Sequence, residues 1–369
     1  MEIEEVNKEF IETDIDTQIE DQNDGGLYPY DPAYENIEIG EAPFSVFEYL
    51  RQLDKGKIVI QPDFQRKQVW TKKQKSKFIE SIILNFPLPP IYLNETKEST
   101  YIVIDGLQRS TALKEFYKGD FYLQGLEALP KYNNYKFRDL PETLQSKFED
   151  KKLTIFVLKP STPMVVIYDL FNRINTGGTQ LNRQEVRNCI FIGKSTQILK
   201  ELSEKQSFKK AIDWGVKDTR MKDREVVLRY LAFRWFDYQN EYIGDMSDYV
   251  EAAMKRINKF DDDKINMMKE DFEDVMLLSF KIWGNKNFRI PTEQTRGTIN
   301  TAILESVCNY LSITPKDYIE RNIRIIRRNY ISLINDLIYF DSVTRSTGNK
   351  AKVIDRFRLA NIILNKGTK

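Results

Sequence analysis

Apolar and polar positions alternate along the first half of the chain in short blocks that switch between a period of two and a period near 3.6. Phe44-Ser-Val-Phe-Glu-Tyr-Leu50 begins a short helix, and Lys57-Ile-Val-Ile60 is a candidate strand. Thr71 with Gln74 forms a capping-box pattern ahead of Phe78, Ile79, Ile82, Ile83 and Phe86, so a helix with one apolar face starts there and Pro87 ends it. Pro89-Pro90-Ile-Tyr-Leu93 and Tyr101-Ile-Val-Ile104 predict paired strands around a polar turn at Asn94–Ser99. A polar insertion around Pro130–Phe148 precedes the best strand signal of the chain, Leu153-Thr-Ile-Phe-Val-Leu158. Thr162-Pro163 caps a helix carrying Met164, Ile167, Leu170, Phe171 and Ile174, and Asn182 with Glu185 caps the next.

Beyond about residue 195 strand signals nearly vanish. Helical periodicity predicts segments near 223–240, 247–258, 264–283, 298–311, 315–340 and 350–365. The chain therefore reads as α+β, a mixed domain over residues 43–195 followed by an all-helical domain over 196–369. No stretch approaches the roughly 20 apolar residues of a membrane span, and the acidic N-terminus is the opposite of a targeting peptide. Cytoplasmic residence, with Cys189 and Cys308 as reduced thiols, is the expectation.

Charge changes the picture. Residues 1–42 carry 14 acidic residues against one lysine, a net −13, which leaves +14 on residues 43–369. The leader is expected to be flexible, either as a solubilising tail or as a competitor for phosphate at a basic surface. A basic body suits nucleic acid or nucleotides. Arg321, Arg324, Arg327 and Arg328 cluster in one helical segment, as a solvated face or a nucleic-acid contact. The chain contains no histidine. This removes His-based general bases, histidine metal ligands and HNH-type nuclease centres from these residues.

The densest candidate chemistry follows the strand Tyr101–Ile104. Asp105-Gly106 is a sharp turn and Leu107-Gln-Arg-Ser-Thr-Ala-Leu113 opens a helix. A helix starting directly after a buried strand leaves its first backbone N–H groups unpaired, which suits an anion. Gly106 allows close approach, Arg109 sits one turn in, Asp105 suits a metal ion, and Gln108 suits a water or a sugar hydroxyl. The competing reading is a solvated Asp-Gly turn with Arg109 as a surface charge.

Three stretches taken together resemble the N-terminal domain of GmrSD-type restriction systems, a branch of the ParB/sulfiredoxin-like superfamily. They are Pro62-Asp-Phe-Gln-Arg-Lys-Gln-Val-Trp70, Ile104-Asp-Gly-Leu-Gln-Arg-Ser-Thr-Ala-Leu113 and Phe171-Asn-Arg-Ile-Asn-Thr-Gly-Gly-Thr179. The resemblance covers roughly residues 45–195 and implies a ParB/sulfiredoxin-like domain that binds a nucleoside triphosphate with Mg2+ and hydrolyses it to control DNA cleavage. It implies catalytic roles for Asp105, Gln108 and Arg109, with Asp105 also the magnesium ligand. Gly106, Ser110, Gln65, Arg66, Asn172, Arg173 and Asn175 would contact the nucleotide. Leu107 departs from the family's usual glutamine, which puts the hydrolysis rate in question. The expected function is an NTP-hydrolysing component of an anti-phage restriction system, with DNA and a separate nuclease as partners. The alternative is a non-enzymatic ParB-like DNA-binding adaptor or specificity subunit.

Overall fold

The computed structural model describes residues 39–60, 70–96, 99–162, 166–168, 170, 173, 182–216, 219–290 and 297–368. The described chain forms two compact units, which divide between Ile190 and Phe191. The first is mixed α and β, and the second is helical, with no strand among its described residues.

The first unit is built on a five-stranded sheet of β1 (Ile39–Glu41), β2 (Ile58–Val59), β3 (Ile91–Glu95), β4 (Tyr101–Asp105) and β5 (Ile155–Leu158), in the order β1-β5-β3-β4-β2. The expected hairpin is present as antiparallel β3 and β4, with a register shift between Tyr92 and Leu93. On its other side β3 runs parallel to β5, while β2 runs parallel to β4. Strand β1 lies within the stretch read as leader and pairs antiparallel with β5 along the sheet edge. Its residues alternate exposed, half-buried and exposed, so no apolar pattern announces it.

Helices α1 (Val46–Asp54), α2 (Lys72–Ile83), α3 (Leu107–Lys118) and α4 (Glu142–Asp150) enclose the main core of this unit with Leu93, Val103 and Val157 of the sheet. Helix α1 buries Val46, Tyr49, Leu50 and Leu53, an i, i+3, i+4, i+7 stripe. Thr71 and Gln74 make the capping box that starts α2. The insertion read as polar turns out to supply core. Phe137 and Phe148 pack on Phe116 with ring centroids 5.9 and 5.6 Å apart, and Glu80 Oε1 accepts from the Ala128 and Leu129 N–H groups at 2.9 and 2.8 Å. Charged residues between the widely spaced aromatics concealed them. A last helix, α5 (Arg183–Ile190), begins at the expected cap, where Asn182 and Glu185 exchange backbone-to-side-chain hydrogen bonds of 2.8 Å. Of the helix expected after Thr162, residues 166–168, 170 and 173 are described and helical, Ile167 and Leu170 among them, while 163–165, 169, 171–172 and 174 lie outside the described residues.

The helical unit comprises α6 (Lys194–Glu204), α7 (Gln206–Ala211), α8 (Lys222–Trp235), α9 (Tyr238–Glu241), α10 (Met246–Ile257), α11 (Asp262–Trp283), α12 (Thr301–Ile313), α13 (Lys316–Ile334), α14 (Leu337–Thr344) and α15 (Lys350–Leu364). The segment expected as one helix over 315–340 breaks after Ile334, because the Asp336 carboxylate caps a new helix through the Tyr339 N–H at 2.9 Å. In the arginine cluster, Arg327 donates to the Ile282 and Lys281 carbonyls at 2.5 and 3.2 Å, a cation closing the C-terminus of α11. Arg321 pairs with Asp317 at 3.0 Å, while Arg324 and Arg328 are exposed. Cys189 and Cys308 are free and buried, and burial pushes both thiols up.

Three helices of this unit meet at one buried carboxylate. Glu305 on α12 accepts from Arg229 on α8 through one oxygen and from Arg356 on α15 through the other. The side chains of Glu305 and Arg356 are 0% exposed and that of Arg229 is 3%. Removing one member of such a buried set leaves unpaired charge in the interior, which costs about 3–5 kcal/mol. Glu305→Ala is therefore expected to lower the urea midpoint of the helical unit sharply, as followed by far-ultraviolet circular dichroism. An unchanged midpoint would show that the three charges are not jointly required.

Candidate functional site

The candidate site forms where β4 runs into α3. Gly106, at φ 101 and ψ 14, makes the turn in the left-handed region, and no side chain caps the helix that follows. A β-carbon at this position would lie 3.0 Å from Ile91 Cγ1, so a larger residue would have to push that side chain aside by a few tenths of an ångström in addition to adopting the left-handed backbone. Gly106 offers no side chain to cap α3, and the positive end of that helix dipole lies at the end of β4.

Arg109 lies one turn in and is already engaged. Its Nη2 donates to Asp105 Oδ2 at 2.5 Å, and its Nη1 donates to the Pro90 carbonyl at 2.9 Å and to the Pro89 carbonyl. The guanidinium thereby braces the end of β4 against the chain entering β3. The Arg109 side chain is 11% exposed and that of Asp105 is 25%, so the pair is partly open to solvent at the end of β4. The reading from sequence treated these two residues separately. Their i,i+4 spacing was the available signal that they bind each other.

Gln108 uses its side-chain carbonyl internally, accepting from the Trp70 backbone N–H at 3.0 Å. This ties the start of α3 to the entry of α2, one residue ahead of its Thr71 cap. Trp70 packs edge-on against Phe78 with centroids 5.6 Å apart, as a core anchor. Ser110 is fully buried. It donates to the Gly106 carbonyl at 2.8 Å, which leaves the Tyr49 hydroxyl, 2.7 Å away, to donate to it. Burial pushes the Tyr49 phenol well above its ordinary range, so this donor keeps its proton. Leu107, at the motif's departure from glutamine, is 4% exposed, so this position faces packing in the fold.

The structure thus brings Asp105, Gly106, Gln108, Arg109 and Ser110 together around one turn. Arg173 is exposed. Gln65, Arg66, Asn172 and Asn175 lie outside the described residues. Glu185 serves as the cap of α5, which packs against β4. No group of three or more acidic or cysteine side chains is gathered for a metal among the described residues, and no described helix is long and apolar enough to cross a membrane. Asp105 is the carboxylate at this strand end. A magnesium ion bound with phosphates needs only one or two protein carboxylates, so the residue set fits that ion.

No curated protein and no solved structure matches the chain. A family model does match, over residues 46–192, and that span contains all three of the motifs on which the resemblance rests. From the start of α1 to just beyond α5, the chain is similar to the family described as GmrSD restriction endonuclease, N-terminal domain.

Proposed function

We propose that the chain is a nucleotide-binding, NTP-hydrolysing component of an anti-phage restriction system, cytoplasmic, acting on DNA with a separate nuclease. The observation that carries this reading is the uncapped start of α3 directly behind Gly106, with the Asp105–Arg109 pair at its rim. The +14 body suits a polyanionic partner. The 369 residues hold no histidine, so an HNH centre is not among them.

The chemistry follows from the charges. A terminal phosphate is drawn to the positive end of the α3 dipole and competes with Asp105 for the Arg109 guanidinium. Nη1 stays on the Pro89 and Pro90 carbonyls, so the guanidinium keeps its orientation while Nη2 changes partner. Asp105, released from Arg109, would hold magnesium, which when bound neutralises charge on the phosphates. The residues work by exchange of one carboxylate for another anion.

Two outcomes test this. Titration of the purified chain with each nucleoside triphosphate plus magnesium should give saturable binding to at least one, lost in Arg109→Ala. The same variant should melt lower, because two carbonyls lose their donor. Asp105→Asn removes the competing charge, so it should tighten magnesium-free triphosphate binding several-fold while abolishing magnesium-dependent phosphate release. Binding that is indifferent to both substitutions would move the ligand away from this turn, and steeply salt-dependent DNA binding with no nucleotide binding at all would favour the adaptor reading.

A further inference from the structure

The described residues contain a second polar feature beside β4. Helix α5 buries Gln184, Arg187 and Asn188, each 2% exposed or less. Their i, i+3, i+4 spacing places them on one helix face, where a packing helix ordinarily carries aliphatic side chains. Gln184 is the exceptional member. It is 1% exposed, and neither its Nε2 nor its Oε1 has a hydrogen-bond partner. A buried primary amide left unmet at both ends is costly, and native interiors rarely tolerate it unless something else pairs with it.

The chemistry of the orphaned group selects its partner. A phosphate or carboxylate offers acceptors only and would satisfy Nε2 while leaving Oε1 facing another oxygen. A primary amide presents a donor and an acceptor side by side, the pattern that the edge of a nucleobase complements. Helix α5 packs against β4, the strand whose end carries Asp105 and leads through Gly106 into α3. We propose that Gln184 hydrogen-bonds the base edge of the nucleotide whose phosphates the α3 turn takes up, an inference that rests on the functional reading above. Gln184 is then the base-recognising residue, and the Asp105–Arg109 turn handles only phosphate.

The test compares Gln184→Met with the unaltered full chain by calorimetric titration against ATP, GTP, CTP, UTP and inorganic tripolyphosphate. Methionine keeps the length of the side chain and removes both hydrogen-bonding groups. For the preferred nucleotide the variant should bind about tenfold or more weakly, the loss expected for a two-point amide contact, with tripolyphosphate affinity unchanged. Equal weakening of both ligands, or no weakening of the nucleotide, overturns the assignment of Gln184. Failure of the unaltered chain to bind either tripolyphosphate or any nucleotide overturns the phosphate site itself and this inference with it. A nucleotide-free control guards against a purely structural role. Because the amide is unmet, Gln184→Met should melt no lower than the unaltered chain, and a clear drop would show that Gln184 already has a partner and so overturn the proposal.

Discussion

The constraint on which the candidate site depends is the need to satisfy backbone carbonyls beside a double proline. Pro89 and Pro90 carry no N–H of their own, and their carbonyls lie where the chain enters β3, next to the end of β4. Arg109 meets both through one nitrogen and reaches Asp105 through the other. The turn at Gly106 puts Arg109 in reach, because only a left-handed residue at this point brings the helix up immediately behind the strand. The buried Tyr49–Ser110–Gly106 chain of hydrogen bonds holds that turn from the core side. One guanidinium thus joins the packing of the sheet to the electrostatics of the rim, and the site is preorganised by groups that the fold itself needs.

Much of this was legible along the chain. The hairpin β3–β4, the strand β5 and the caps at Thr71 and Asn182 all follow from local pattern, because short-range side-chain chemistry decides them. Gly106 at the end of an apolar strand and before a helix was a strong sign of a tight turn. Pairings made at long range were less visible. Strand β1 has no apolar pattern because it is held by backbone bonds at an edge. The core contribution of Phe137 and Phe148 was masked by the charges between them, and the break at Asn335–Asp336 was hidden by apolar residues on both sides. At the site, sequence supplied the residue types and left their partners open. Arg109 and Asp105 read as two ligand groups, and in the fold they are first each other's counter-ion.

The two units handle buried charge in opposite ways, and the contrast bears on which of them is built to exchange partners. In the helical unit, Glu305 and its two arginines are almost wholly removed from water and join three helices, α8, α12 and α15. An entering anion would have to break a charge-compensated interior, so this triad is a fastening. At the α3 turn there are two ions in place of three, and they are partly solvated, so water lowers the cost of parting them. The Arg109 guanidinium would also not be stranded by losing Asp105, since its other nitrogen remains on two carbonyls. A pair that is strong enough to orient a donor and weak enough to be traded for a phosphate is what a reversible anion site requires. The partial exposure of the Asp105–Arg109 pair fits both conditions of the proposed site, and the closed Glu305 triad fits only the first.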